Sequence, residues 1–196
     1  MLIFVVRLGT EKNLTMLLRA FAGAEAAVEN LRLIIVGDGP ERDNLRDWCK
    51  RSGLNDHVRF IGKVAYPTVP DYLQLSDAFI TASVSEVHPL SIIEGMAVGL
   101  PAIGIQSPGV GDIIQDGVNG ILCGNDLAVF TAHLVRLMLD DTLLSRLAAG
   151  AIARAEQYDI RQTADELLRH YQDISSNRTA VSARKRSRRG IRKLFQ

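Results

Sequence analysis

Six short apolar runs, at residues 2–6, 32–36, 58–61, 78–82, 101–105 and 120–123, alternate with segments of helical period, and that alternation leaves few folds open. After the first run, Leu14, Leu17, Leu18, Phe21 and Val28 recur at helical spacing, which predicts a helix beginning near Thr10. Gly37-Asp38-Gly39-Pro40 turns the second run into a helix closed by Gly53, and Thr68 reads as the cap of a short helix. Gly99-Leu100-Pro101 stops another helix before the 101–105 strand, and helices at 126–139, 141–156 and 159–173 complete the pattern. The fold class that follows is α/β, a Rossmann-like, doubly wound parallel sheet forming one lobe over residues 1–174. No internal repeat or low-complexity linker interrupts it.

Between the fourth and fifth strands lies Ser85-Glu86-Val87-His88-Pro89-Leu90-Ser91-Ile92-Ile93-Glu94-Gly95-Met96-Ala97, which sets two carboxylates eight residues apart across a turn that opens a short apolar helix. Pro89 lacks an N–H and has a preset φ, which suits the first helical position, so the free amides of the following turn and the helix dipole favour an anion in front. In open α/β sheets ligands bind at the carboxyl ends of strands, so Glu86 on the loop and Glu94 on the helix would flank a crevice there. A lone Glu in a short helix is usually solvated. Glu94, set among Ile92, Ile93, Met96 and Ala97, needs a partner.

These residues resemble the C-terminal, donor-binding half of a GT-B glycosyltransferase, of the retaining family 4 (group 1) type, over about residues 3–173. The resemblance rests on Glu86-x7-Glu94 followed by Gly-Met-Ala-x-Gly-Leu-Pro, with four landmark groups in order around it. These are Arg7-Leu8 with Lys12, Val36-Gly37-Asp38-Gly39-Pro40, Val58-Arg59-Phe60-Ile61-Gly62 and Asp116-Gly117-Val118-Asn119-Gly120. The resemblance implies a nucleotide-diphosphate sugar as substrate, with Arg7 and Lys12 on its phosphates and Glu86 on the transferred sugar as the catalytic set. It further implies Glu94 on the ribose, the amides around His88, Pro89, Leu90 and Ser91 on sugar and phosphate, and backbone near Gly62, Lys63 and Val64 on the base. Gly37 joins the donor-binding set as a weaker signal, and His88 is expected to act through its backbone rather than as a general base.

No cofactor and no metal are expected: the chain has no Asp-x-Asp, and Arg7, Lys12 and a helix end would neutralise the diphosphate instead. The first strand leads into Arg-Leu-Gly-Thr-Glu-Lys rather than Gly-x-Gly-x-x-Gly, which argues against a nicotinamide-dependent oxidoreductase. Three positions depart from the family pattern: Val6 and Pro89 stand where Gly is usual, and Gly95 where Ala is usual. The acceptor lobe that such enzymes carry before this half is expected from a separate N-terminal lobe, or its place is taken by a homodimer contact. The alternative is a non-catalytic remnant or regulatory module that binds a nucleotide or a partner through the same crevice.

Composition adds bounds. With 196 residues, 47% of them hydrophobic and 23% charged, the chain has ample core for one domain. The 2–6 run is too short for a signal-peptide core and runs straight into Arg7, so a cytoplasmic protein is expected. Cys49 and Cys123 lie apart without metal-ligand spacing and read as buried free thiols. The net charge is +1, but residues 175–196 hold eight Lys or Arg and no acid, which leaves the first 174 at −7. That tail reads as disordered, and its charge suits a peripheral contact with an anionic membrane surface at the inner face better than nucleic acid.

Overall fold

The computed structural model describes residues 1–175. Its strands are β1 (Leu2–Val5), β2 (Leu33–Val36), β3 (Val58–Gly62), β4 (Ala78–Thr81), β5 (Ala102–Ile105) and β6 (Gly120–Cys123). They form one parallel sheet in the order β3-β2-β1-β4-β5-β6. The helices are α1 (Leu14–Glu25), α2 (Arg42–Arg51), α3 (Val69–Gln74), α4 (Leu90–Ala97), α5 (Val110–Ile113), α6 (Leu127–Leu139) and α7 (Asp141–Ala155). Strands covered on both faces have no wet side, and β4 and β5 are accordingly buried at every position.

The order reverses at the centre. From β1 the chain steps outward to β2 and β3, then returns to place β4 on the other side of β1 and steps outward again. Right-handed crossovers running in opposite directions put α1 and α2 on one face and α4 on the other. α1 packs on α2 and α6, and α4 on α3 and α7. The core between these layers includes Phe21, Phe79 and Phe130, all fully buried, and Phe4 meets Phe79 edge to face at 6.2 Å between ring centres.

Local structure departs from the sequence expectations at four points. The first helix does not begin at Thr10: residues Thr10–Lys12 make a 3-10 turn, and Asn13, in the left-handed region at φ 51°, separates it from α1. Thr68 precedes α3 but does not cap it, because its hydroxyl donates instead to the Ala65 carbonyl at 2.8 Å. Pro89 is the residue before α4 rather than its first residue; its ψ of 88° is not helical, and its carbonyl accepts from Ile92 N at 3.1 Å. The short α5, after Pro108-Gly109, has no counterpart in the sequence reading.

Compactness divides the chain after Glu156, whereas the sequence reading drew its boundary after residue 174. In the second unit a helix runs over residues 160–175, with Ile160, Leu167, Leu168, Tyr171 and Ile174 exposed. The basic segment from 176 onward lies outside the described residues. No described helix is long and apolar enough to cross a membrane.

The Asp116-Gly117-Val118-Asn119-Gly120 landmark is an architectural knot. Asn119 is fully buried; its Oδ1 accepts from Gln115 N at 2.7 Å and its Nδ2 donates to the Ile113 carbonyl at 3.0 Å. Asn119→Ala leaves the Gln115 amide and the buried Ile113 carbonyl without these partners, and is expected to lower unfolding free energy by about 1–3 kcal/mol in a denaturant titration.

Cys49 and Cys123 are both buried free thiols, as expected, and burial pushes each from 9.0 up to about 11. A raised thiol pKa favours the folded state below the unfolded value, and that advantage is lost as pH rises through the folded one. Stability should therefore fall between about pH 9 and 11, and the fall should be smaller in a Cys49→Ala, Cys123→Ala variant, read by urea unfolding at each pH.

Candidate functional site

The reversal of strand order leaves the β1–α1 loop and the β4–α4 loop side by side at the carboxyl edge of the sheet. Lys12, at the end of the 3-10 turn, and Glu86, in the β4–α4 loop, meet there: Nζ donates to Oε1 at 2.7 Å across 74 residues of sequence. Their side chains are only 14% and 19% exposed, so each charge depends on the other in a partly dry setting. Arg7 is exposed in the same loop, and its side chain makes no hydrogen bond or ion pair among the described residues. One cation of the expected phosphate pair is thus engaged by the carboxylate expected to face the sugar, and the other stands open to solvent.

The second carboxylate is engaged too. Glu94 lies half-buried on α4, and its Oε1 accepts from the Tyr66 hydroxyl at 2.6 Å. Tyr66 opens a 3-10 turn, Tyr66–Thr68, that follows Gly62, Lys63 and Val64 at the end of β3. Gly62 is buried at φ +87°, Lys63 is exposed and Val64 half-buried. The Arg42 side chain lies over Gly62, where its Nη2 would be 3.5 Å from an added Cβ, and its Nη1 donates to Asp38 Oδ2 at 3.0 Å.

The remaining expected residues sort by their surroundings. Leu90 and His88 are exposed, Ser91 is half-buried, and Pro89 is buried. Gly37 has a local explanation that needs no ligand. At φ +132° its missing Cβ would fall 1.8 Å from the Val6 carbonyl oxygen, so the first two strand-to-helix loops touch through backbone there. Val6 N to Val36 O at 2.9 Å, Leu8 N to Asp38 O at 3.0 Å and Glu41 N to Leu8 O at 3.1 Å fasten those loops together. Val6 therefore takes its place through its backbone, as a continuation of the β1–β2 ladder.

Two supports were not visible in the residues alone. Ser107 Oγ, buried after β5, donates to the Ser83 carbonyl at 3.1 Å, and Ser83 Oγ is buried without a hydrogen-bond partner among the described residues. Gly109, at φ +76°, presses its backbone against the Glu86 loop, so that an added Cβ would stand 2.5 Å from the Glu86 carbonyl oxygen. The Pro-Gly pair after the fifth strand was the available signal, but a Pro-Gly turn does not say what it touches. Among the described residues no group of three or more His, Cys, Asp or Glu converges as a metal site would require.

A parallel α/β lobe with cations and carboxylates gathered at its switch point is the architecture of a nucleotide-binding domain. Residues 1–156 match the family model for glycosyl transferases group 1, and the chain belongs to that family, whose relatives and structural neighbours here are GT-B glycosyltransferases. It is 29% identical over 156 residues to an alpha-monoglucosyldiacylglycerol synthase of Acholeplasma laidlawii, an overlap of 80% of this chain and 39% of the relative. Among solved structures it superposes with a TM-score of 0.80 on the pneumococcal O-GlcNAc transferase GtfA in complex with UDP and GlcNAc, at 24% identity over 88% of this chain and 35% of that one. It also superposes with a TM-score of 0.74 on Anabaena HepE in complex with UDP, at 25% identity over 86% of this chain and 48% of that one. The chain thus spans less than half the length of these proteins.

Gly109→Ala forces a left-handed side-chain residue against the loop that carries Glu86, and is expected to lower unfolding free energy by about 1–3 kcal/mol, read from the denaturant midpoint.

Proposed function

We propose that this chain is the donor-binding lobe of a retaining glycosyltransferase, which moves a hexosyl group from a nucleoside-diphosphate sugar to an acceptor such as a glycan or lipid. The observation that carries the reading is the Lys12–Glu86 pair at the switch point, one cation and one carboxylate held at 2.7 Å, in the same loop cluster as the open Arg7. The diphosphate of the donor would take Lys12 and Arg7, leaving the Glu86 oxygens to accept from hydroxyls of the transferred sugar. Glu94 would accept from the ribose, and the amides at the start of α4 would meet sugar and phosphate.

In a same-face displacement the acceptor hydroxyl oxygen bonds to the anomeric carbon as the bond to the diphosphate breaks; charge grows on the departing phosphate oxygen, which takes up the hydroxyl proton. Arg7, Lys12 and the start of α4 would offset that charge and lower the barrier. The acceptor site would come from a further lobe, in the same polypeptide or a separate chain. The basic segment at 175–196 would hold the assembly at an anionic membrane surface on its cytoplasmic side.

Calorimetric titration with UDP, GDP and ADP tests the donor reading. One of the three is expected to bind, and an Arg7→Ala, Glu94→Ala variant that stays folded should weaken it by at least about tenfold, since each residue makes a charge-assisted contact. Folded protein that binds none of the three would sink autonomous donor recognition and favour a non-catalytic module.

A further inference from the structure

The Tyr66–Glu94 contact is unusual for the place it occupies. Tyr66 is 73% exposed, so its hydroxyl has water freely available, yet it donates to Glu94 Oε1 at 2.6 Å, the usual length for a hydroxyl bonded to an ionised oxygen. That bond and the charge of Glu94 raise the phenol's pKa above its ordinary value. Glu94 in turn is half-buried on α4 between the buried Ile92 and Met96, where a carboxylate with no donor is costly. Tyr66 supplies the donor, from a turn that directly follows Gly62, Lys63 and Val64.

A phenol hydroxyl and a sugar hydroxyl are the same kind of donor to a carboxylate. A carboxylate has two oxygens and about four lone-pair sites, and a vicinal diol fills one lone pair on each oxygen. Tyr66 already holds Oε1.

We propose that Tyr66 is an internal stand-in for a ribose hydroxyl: it satisfies Glu94 while the crevice is empty and is exchanged for the cis-diol of an incoming ribonucleotide. The proposal rests on the donor reading above and adds a specificity device to it. A ribonucleotide replaces the bond it breaks. A nucleotide without the diol has nothing to offer Glu94, so the phenol stays on the carboxylate and recognition at this point is lost. Tyr66 is thus a specificity-determining residue that works in the empty state, by setting what a ligand must match before it can occupy the carboxylate.

The test compares wild type with Tyr66→Phe, using the nucleoside diphosphate that binds best and its 2′,3′-dideoxy analogue. Removing the hydroxyl removes the competitor and leaves the core untouched, and a thermal melt checks the fold. The ribonucleotide should bind about three- to tenfold tighter to Tyr66→Phe, while the dideoxy analogue should bind the two proteins alike. In a Glu94→Ala background, which removes the acceptor, the same substitution should have little effect. As a second readout, NMR of ring-labelled tyrosine should place the Tyr66 titration above that of ordinary tyrosine in the empty protein and move it back down when the ribonucleotide is saturating.

Equal ribonucleotide affinity in wild type and Tyr66→Phe, weaker binding by the variant, or a Tyr66 titration that ignores the nucleotide would each overturn the exchange and leave the donor reading standing. Absence of binding by both folded proteins would overturn both. A uniform gain for ribo and dideoxy ligands would also count against the exchange, because it would assign Tyr66 a steric role instead.

Discussion

The position of β1 between β2 and β4 governs what happens at the carboxyl edge of this sheet. Were the strands laid down in sequence order, β1 and β4 would be separated, and no loop from one could reach the other. Because the chain returns to the centre and then winds the other way, the loop after β1 and the loop after β4 diverge to opposite faces and leave a crevice between them. The Lys12–Glu86 pair is the direct trace of that reversal, since it joins residues 74 apart that share no element. Parallel pairing of β1 with both neighbours, Leu2 with Leu33 and Leu2 with Ala78, fixes the height of both loops against a common register.

The scaffold then holds these loops from behind. Backbone hydrogen bonds from Val6, Leu8 and Glu41 tie the first strand-to-helix loop to the second, and Gly37 and Gly39 permit the approach, an added Cβ at Gly39 falling 2.4 Å from the Leu8 carbonyl oxygen. On the other side Ser107 and Gly109 press against the segment from Ser83 to Val87. A site assembled from loops gains its precision from such supports, because loop side chains alone have too much freedom. The result is a loop cluster whose two carboxylates are each satisfied within the chain, one by an ammonium and one by a phenol.

Legibility in the sequence followed the range of the interactions involved. The strands were readable because each is a compact apolar run, and the helices because their apolar residues repeat with the helical period, as at Leu14, Leu17, Leu18 and Phe21. Glu86 and Glu94 stood out because two carboxylates flanking a helix start carry chemistry in a single stretch of sequence. What escaped was anything decided by a second segment. Thr68 had the right residue type for a cap, but the nearby Ala65 carbonyl competed for its hydroxyl. Glu94 visibly needed a partner, yet nothing in its own stretch pointed 28 residues back to Tyr66. Gly37 was only a weak donor-binding signal, and its own stretch gave no sign of the Val6 carbonyl that its missing Cβ makes room for.

Gly95 illustrates how such contacts constrain variation. It replaces the alanine usual in this motif, at a cost in helix propensity of about 1 kcal/mol. A Cβ there would stand 3.0 Å from Cδ2 of Phe79, the ring on β4 that also meets Phe4. The residue next to Glu94 is therefore packed against a core ring: an alanine there asks Phe79 to give way by a few tenths of an ångström, and whether that ring can move decides whether the helix that presents Glu94 keeps its place.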